Sequence, residues 1–285
     1  TRTLLTLSTK VADSLRENFS AVTALPPSGW ALGNYDNGAT WTYNSIGNGN
    51  TGSAFLRTFN YSGSNLDELV TPIVTYSGAD SIILSFDVAA ANRYYPGTTN
   101  ILIDTLEVLA TTNCGASYET VYKKWGSALQ TLGSQGNQNF PVSTEFAPGS
   151  GSDWRTERID ATRYINNPSV QFVFRARSNN GNNVYIDNVN VTARKLPANL
   201  KQNGYVISPN PSNGPVRIWH VQQPTTLRFV NVYDSKGALV WTRSFTKNAE
   251  KVIYVDLSGQ PAGVYMVSLG YEDEYRNVTE RVIKR

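Results

Sequence analysis

Arg228-Phe229-Val230-Asn231-Val232-Tyr233, then Asp234-Ser235-Lys236-Gly237, then Ala238-Leu239-Val240-Trp241-Thr242-Arg243-Ser244-Phe245, reads as one β-hairpin. Both flanks are rich in residues that fit a pleated, half-buried surface. The four residues between them end on a glycine, where a positive φ is cheap. The same pattern recurs outward along the chain: runs of Val, Ile, Thr, Tyr and Phe alternate with clusters of Gly, Asn, Pro and Ser. Further strands are predicted at Ser81–Ala89, Thr105–Thr111, Val170–Ala176, Val184–Thr192, Lys251–Asp256 and Gly263–Leu269. Thr3 to Ser8 also reads as a strand. Helical periodicity is nearly absent, and the best helix candidate, Val11–Asn18, is short. Short, regularly spaced strands of this kind predict an all-β chain built from sandwiches or jelly rolls.

The chain has 285 residues, room for two ordinary domains. Its apolar content is 40% and its charged content only 16%, with Ser, Thr, Asn and Gly making up the difference, a balance that suits extracellular β proteins. The net charge of +3 is small, and no long basic run argues for nucleic acid. The one cysteine, Cys114, excludes an intrachain disulfide and a zinc ribbon. A buried, inert thiol is the favoured reading for it. No apolar run approaches the length of a membrane-spanning helix. Thr1 opens without Met or a signal peptide, so the chain is expected to be the C-terminal piece of a longer precursor.

Composition shifts at Lys195-Leu196-Pro197-Ala198-Asn199-Leu200-Lys201-Gln202. This divides the chain into a remnant at 1–14, a domain at 15–194, a linker at 195–202 and a second domain at 203–285. In the second domain Val216–Trp219 is expected to be the first strand, Asp273 or Glu274 a turn, and Thr279–Lys284 an edge strand. The total is about seven strands in an Ig-like sandwich.

Catalytic signatures are lacking. HExxH chemistry needs two helical histidines, and the only histidine is His220. No Gly-x-Ser-x-Gly elbow, P-loop or dinucleotide fingerprint is present. Paired acids could serve a glycosidase, but spacing nominates no pair. The loop Asn34-Tyr35-Asp36-Asn37-Gly38 is oxygen-rich and could hold calcium, with Asn34 and Asp36 as ligands; the alternative is an Asx-turn satisfying its own backbone. Tyr94 and Tyr95, in Tyr94-Tyr95-Pro96-Gly97, together with Trp125 and Trp154, are candidate stacking platforms for a sugar. Trp30 and Trp41 read as core.

Two resemblances extend this reading. The motifs Ser208-Pro209-Asn210-Pro211, Ser212-Asn213-Gly214, Tyr233-Asp234-Ser235-Lys236-Gly237, Pro261-Ala262-Gly263-Val264-Tyr265 and the basic Lys284-Arg285 resemble the type A sorting domain of the Bacteroidota type IX secretion system. That resemblance implies a secreted or cell-surface protein. Its partners would be an outer-membrane translocon and a sortase-like processing protease, and Pro209, Asn210, Pro211, Gly214, Asp234, Gly237, Gly263, Tyr265, Lys284 and Arg285 would carry the signal. The stretch Leu106-Glu107-Val108, Asn113-Cys114-Gly115, Val121-Tyr122-Lys123-Lys124-Trp125-Gly126 and Asn182-Asn183-Val184-Tyr185-Ile186-Asp187-Asn188-Val189 resembles adhesin-like jelly-roll modules related in shape to the MAM domain. Such modules also follow the catalytic domain of secreted pappalysin-type metalloproteases. This second resemblance implies a structural calcium ion between an acid on the first strand and one on the last, here Glu17 and Asp187. Three functions follow as expectations: a non-enzymatic binding module for a surface glycan or protein, an accessory domain of a metalloprotease, or a jelly-roll hydrolase. Asp13-Ser14-Leu15, Asp80-Ser81-Ile82 and Asp104-Thr105-Leu106 resemble a short O-glycosylation signal, with Ser14 and Ser81 favoured because Thr105 is predicted in a strand.

Overall fold

A computed structural model describes residues 10–12, 14–61, 64–95, 97–132, 141–246, 248–272 and 277–285. The predictions at Thr3 to Ser8, Asp13, Pro96, Asp273 and Glu274 lie outside the described residues. The chain divides into two compact units, Thr1–Lys195 and Leu196–Arg285.

The first unit is a sandwich of two sheets. One sheet runs Lys10–Ala12, Ile73–Thr75, Ser169–Asn179, Thr105–Thr111, Glu119–Trp125; Ser64–Val70 joins it beside Ser169–Asn179 and carries Ala31–Asn34. The other runs Arg155–Asp160, Ser81–Ala90, Val184–Arg194, Ser53–Leu56, Thr42–Asn44, with Ser14–Glu17 also paired to Val184–Arg194. Connections jump between the sheets, giving the predicted jelly roll. Alternation dictates what is buried: Ile82, Leu84, Phe86 and Val88 face Leu106, Val108, Val170, Phe172 and Phe174. Phe86 meets Phe174 edge-on at 5.0 Å. Each such side chain contributes roughly 1.5–3 kcal/mol on burial.

Parity changes once along Val184–Arg194. Val184 and Ile186 face the core, then Val189 and Val191 do so, which requires one extra residue between them. The register shift falls between Asp187 and Asn190, and Asn188 takes φ 48. The bulge leaves Asp187 on the outer face.

One open edge of the sandwich is closed by charge. Glu157 accepts from Lys124 at 2.7 Å, from Arg155 at 2.7 Å and from the Tyr122 hydroxyl at 3.2 Å. Burial raises the Glu157 pKa, but the two cations together hold it below the usual range. Glu157→Ala would leave two half-buried cations facing each other. We expect a loss of about 2 kcal/mol by chemical denaturation, against about 0.5 kcal/mol or less for the exposed pair Arg163–Glu119.

Among its described residues the second unit has seven strands: Tyr205–Ser208, Pro215–His220 and Val252–Asp256 in one sheet, and Leu239–Ser244, Leu227–Tyr233, Gly263–Tyr271 and Asn277–Lys284 in the other. Val216, Ile218, Val230, Val232, Ile253, Val255, Val267, Leu269 and Val282 pack between them. The opening hairpin forms as predicted: Asp234 accepts from the Lys236 and Ala238 amides, and Gly237 takes φ 83.

Five expectations are corrected. Val11–Asn18 is not helical: Ser14–Glu17 pairs with Val189–Thr192 and Lys10–Ala12 with Ile73–Thr75, so sheet edges capture what local propensity leaves open. These pairings also join Lys10–Ala12 and Ser14, expected in the remnant, to the sheets of the first unit. The segment taken as linker contains a short helix, Ala198–Asn203, anchored by buried Leu200 and ended by Gly204 in the left-handed region. Tyr205–Ser208, not Val216–Trp219, is the first strand of the tail. Ser14, Ser81 and Thr105 each begin a strand, so position does not favour the two serines.

Candidate functional site

The loop Asn34–Gly38 leaves the strand Ala31–Asn34, whose Asn34 sits opposite Asp67. Its Asx-turn is present: Asp36 Oδ1 accepts the Gly38 amide at 2.9 Å, and Asn34 Nδ2 donates to Gly38 O at 2.9 Å. The turn does not use every oxygen. Asn34 Oδ1, Thr40 Oγ1 and Asp67 Oδ1 are all buried without a hydrogen bond of good geometry, the Thr40 hydroxyl and the Asp67 carboxyl meeting only in a weak contact. Burial, with the Asp36 charge adding to it and the Thr40 hydroxyl opposing it, pushes Asp67 up to about 6. Unpaired buried acceptors are costly. Three of them, with Asp36 alongside, form a donor set suited to a hard cation.

A second acidic pair lies on the outer face of the other sheet. Asp187 is directly opposite Asp87. Asp187 is fully buried; its oxygens accept the Asn48 amide at 2.7 Å and the Asn188 amide at 2.6 Å. Asp87 accepts from Asn48 Nδ2, Asn188 Nδ2 and Thr156 Oγ1. Burial comes first, and the Asp87 charge adds to it, in raising Asp187 to about 6. Gly52 lets the covering loop in: a Cβ there would stand 2.4 Å from Phe19 O.

The expected partner Glu17 takes a different role. Its carboxylate accepts the Phe19 amide at 2.7 Å and supports Phe19 at φ 55, a conformation rare for a bulky residue. The carboxylate beside Asp187 is therefore Asp87. Asp87 could have been found as the one acid inside the apolar run Ile82–Ala91. Asp67 is marked less clearly, because Asp67-Glu68 stands at a strand centre where either residue could face inward. Among the described residues no group of three or more His, Cys, Asp or Glu side chains gathers as a metal cluster; amides and a hydroxyl make up both sites.

The aromatic candidates separate. Trp154 is 7% exposed and stacks into a cluster with Tyr185 and Phe146, so its ring faces are closed to a ligand. Tyr94 is half-buried. Tyr95 is 48% exposed, with the Arg93 guanidinium 5.7 Å from its ring. Trp125 is 52% exposed and shares a sheet face with Lys123, Glu107, Arg177, Arg175 and Glu68. Tyr35 and Tyr118 lie on that face too, and the sequence reading passed over them as ligand contacts. The Tyr35 hydroxyl donates to Glu68 at 2.6 Å across Gly33, and Arg175 sits between Glu68 and the Tyr118 ring. Cys114 is exposed at φ 55, contrary to the buried reading.

The tail motifs converge. Asn210 accepts the Ile283 amide at 3.0 Å and donates to Arg281 O at 2.8 Å. Ser212 exchanges backbone bonds with Ile283 and Arg285. Lys284 Nζ donates to Gln260 O and the Tyr265 hydroxyl to Pro261 O. Gly263 pairs with Lys284. Pro209 and Pro211 hold Asn210 at this junction, while Asp234 and Gly237 form the separate hairpin turn. His220 is buried; its Nε2 lies 3.3 Å from the Tyr271 hydroxyl, and burial lowers its pKa. Among the described residues no helix is long and apolar enough to cross a membrane.

Residues 206–285 match the family described as the secretion system C-terminal sorting domain. No curated protein sequence matches the chain. Among solved structures, the chain is similar to the K1 cleaved adhesin domain of Lys-gingipain from Porphyromonas gingivalis, at 16% identity and TM-score 0.43, covering 64% of this chain and 98% of that one. The K3 domain of the same protein gives 18% and 0.43, covering 62% and 97%. A xylan-binding domain from Paenibacillus barcinonensis gives 12% and 0.36, covering 67% and 100%. The tail is thus a type IX sorting domain, and it directs the chain across the outer membrane to the cell surface or the medium.

Proposed function

We propose that the first unit is a non-catalytic binding module, stabilised by calcium and presented outside the cell by the sorting tail. The observation that carries the binding role is the exposed Trp125 indole on a sheet face shared with the Tyr35 and Tyr118 rings. Flat rings bordering a polar face suit an extended glycan, whose apolar sugar faces stack while its hydroxyls meet the half-exposed Lys123 and Arg177. The orphaned oxygens of Asn34, Thr40 and Asp67, with Asp36, favour calcium at that loop. The Asp87–Asp187 pair is a second place for it. Asp187 also belongs to the ligand set implied by resemblance, whereas Glu17 is engaged elsewhere. For tail removal by a sortase-like protease, the irregular stretch 195–197, with Lys195 and Pro197 exposed between the strand that ends at Arg194 and the helix that starts at Ala198, offers a cleavage point.

A glycan array probed with the full chain is the test. Trp125→Ala should weaken the best ligand at least tenfold, with the melting temperature unchanged because the ring is half in solvent. An array with no signal above background would defeat the glycan reading.

A further inference from the structure

The outer face of the sheet containing Ser81–Ala90 carries a second feature that the Trp125 face does not share. Arg16, Asn190, Ser85 and Arg158 stand in one register row across four adjacent strands. Arg194 lies farther along the same strand as Asn190. Together with Ile83 and Thr192 these residues line a surface groove of about 290 Å³. All three arginines are exposed. Among the described residues none of the three makes an ion pair. Asp160 is the carboxylate that feels Arg158, and it turns one oxygen to the Thr162 amide at 2.9 Å. Asp87 and Asp187, one pleat repeat away, are engaged by Asn48 and make no ion pair with these arginines.

We propose that this groove binds an acidic polysaccharide. Planar guanidinium groups match carboxylate and sulfate oxygens bidentately, and fixed arginines on a rigid sheet present them in register. Strands about 4.8 Å apart put the Arg16 and Arg158 backbones roughly 14 Å from each other, spanning more than one sugar unit. Ser85, Thr192 and Asn190 between them supply hydroxyl and amide contacts for a polyol. Among the described residues no aromatic ring lines the groove, so base stacking there would fall to the guanidinium groups alone. Export to the cell exterior puts the face among glycans. The site is separate from the Trp125 face, so either can fail alone.

The full chain should be titrated, in calcium-containing buffer, with hyaluronan, dextran sulfate, neutral dextran and single-stranded oligo-dT. Binding to hyaluronan or dextran sulfate is expected, weakening at least tenfold between 50 and 300 mM salt. The two acidic probes distinguish carboxylate from sulfate. R16Q/R158Q/R194Q should lose at least tenfold while melting as the parent does, and Trp125→Ala should change nothing here. Equal binding to neutral dextran, tighter binding to oligo-dT, or an undiminished triple variant would each overturn the proposal.

Discussion

With calcium chelated, the protein should melt higher at pH 5 than at pH 7.5, and saturating calcium should raise the pH 7.5 melting temperature by about 5–10 °C. The sign follows from Asp67 and Asp187, whose folded pKa values of about 6 stand above the ordinary 3.8. Between those values the folded state binds more protons than the unfolded chain, so stability falls as pH rises through the window. Above about 6 the full penalty is present, on the order of 2–3 kcal/mol for each group. The carboxylates whose pKa is lowered, Glu157 and Glu107 among them, contribute in the opposite sense and lose their contribution only below the ordinary carboxylate range. Within the interval from pH 5 to 7.5, Asp104, also raised by burial, acts with the pair, while buried His220, whose pKa is lowered, acts against it below the ordinary histidine value, so the net sign is set by the carboxylates together.

Bound calcium would reverse the logic, because the ion takes the deprotonated oxygens and would remove the like-charge cost between Asp67 and Asp36. Asp67→Asn separates this account from simple loss of structure. The amide keeps the shape and drops the charge, so the variant should melt higher than the parent in chelator and respond weakly to calcium. Asp187→Asn should behave likewise only if the second pair is also occupied. A melting curve indifferent to both chelator and calcium would remove calcium from the account.

The strands were legible because they are runs of seven or more residues rich in β-branched and aromatic side chains or end on a marked turn. Val170–Ala176 announces its buried Phe172 and Phe174, and Asp234–Gly237 announces its hairpin. The short edge strands were not legible. Ser14–Glu17 has one buried apolar residue, Leu15, and its conformation is set by Val184–Arg194, about 175 residues away in sequence. The candidate cation loop was legible through Asn34 and Asp36, whose spacing makes an Asx-turn. Its deeper half was not, since Thr40 and Asp67 reach the loop only through cross-strand register. The local role of Glu17 was hidden for a related reason: a backbone amide two residues on takes one of its carboxylate oxygens. Trp154 and Trp125 look alike in sequence, and only the packing of residues 141–154 over Tyr185 separates them.

Removing residues 203–285 should trap the first unit inside the cell, and the single change Gly214→Ala should reproduce much of that loss. Gly214 has φ 134, and a Cβ there would meet Ser258 Oγ at 2.6 Å and Ser258 Cα at 2.8 Å. The obstacle is backbone as well as a side-chain tip, so alanine requires the turn to move. We expect a cost of about 2–4 kcal/mol to the tail. The damage would fall where Asn210 and Ser212 clasp Ile283 and Arg285, the junction that holds the proline motif against the basic end. Gly237→Ala is the control. Its φ of 83 also disfavours alanine, but nothing lies within 4 Å, so about 1–2 kcal/mol is expected and export should persist. Lys284→Ala with Arg285→Ala removes side chains while leaving the clasp's backbone bonds. Secreted and cell-retained fractions of the four variants and the parent, measured in a host with a working type IX system, decide the matter. Normal export of Gly214→Ala beside failed export of the Lys284/Arg285 variant would mean that the terminal side chains are read without the folded junction. Export unaffected by the deletion would contradict the assignment of the tail itself.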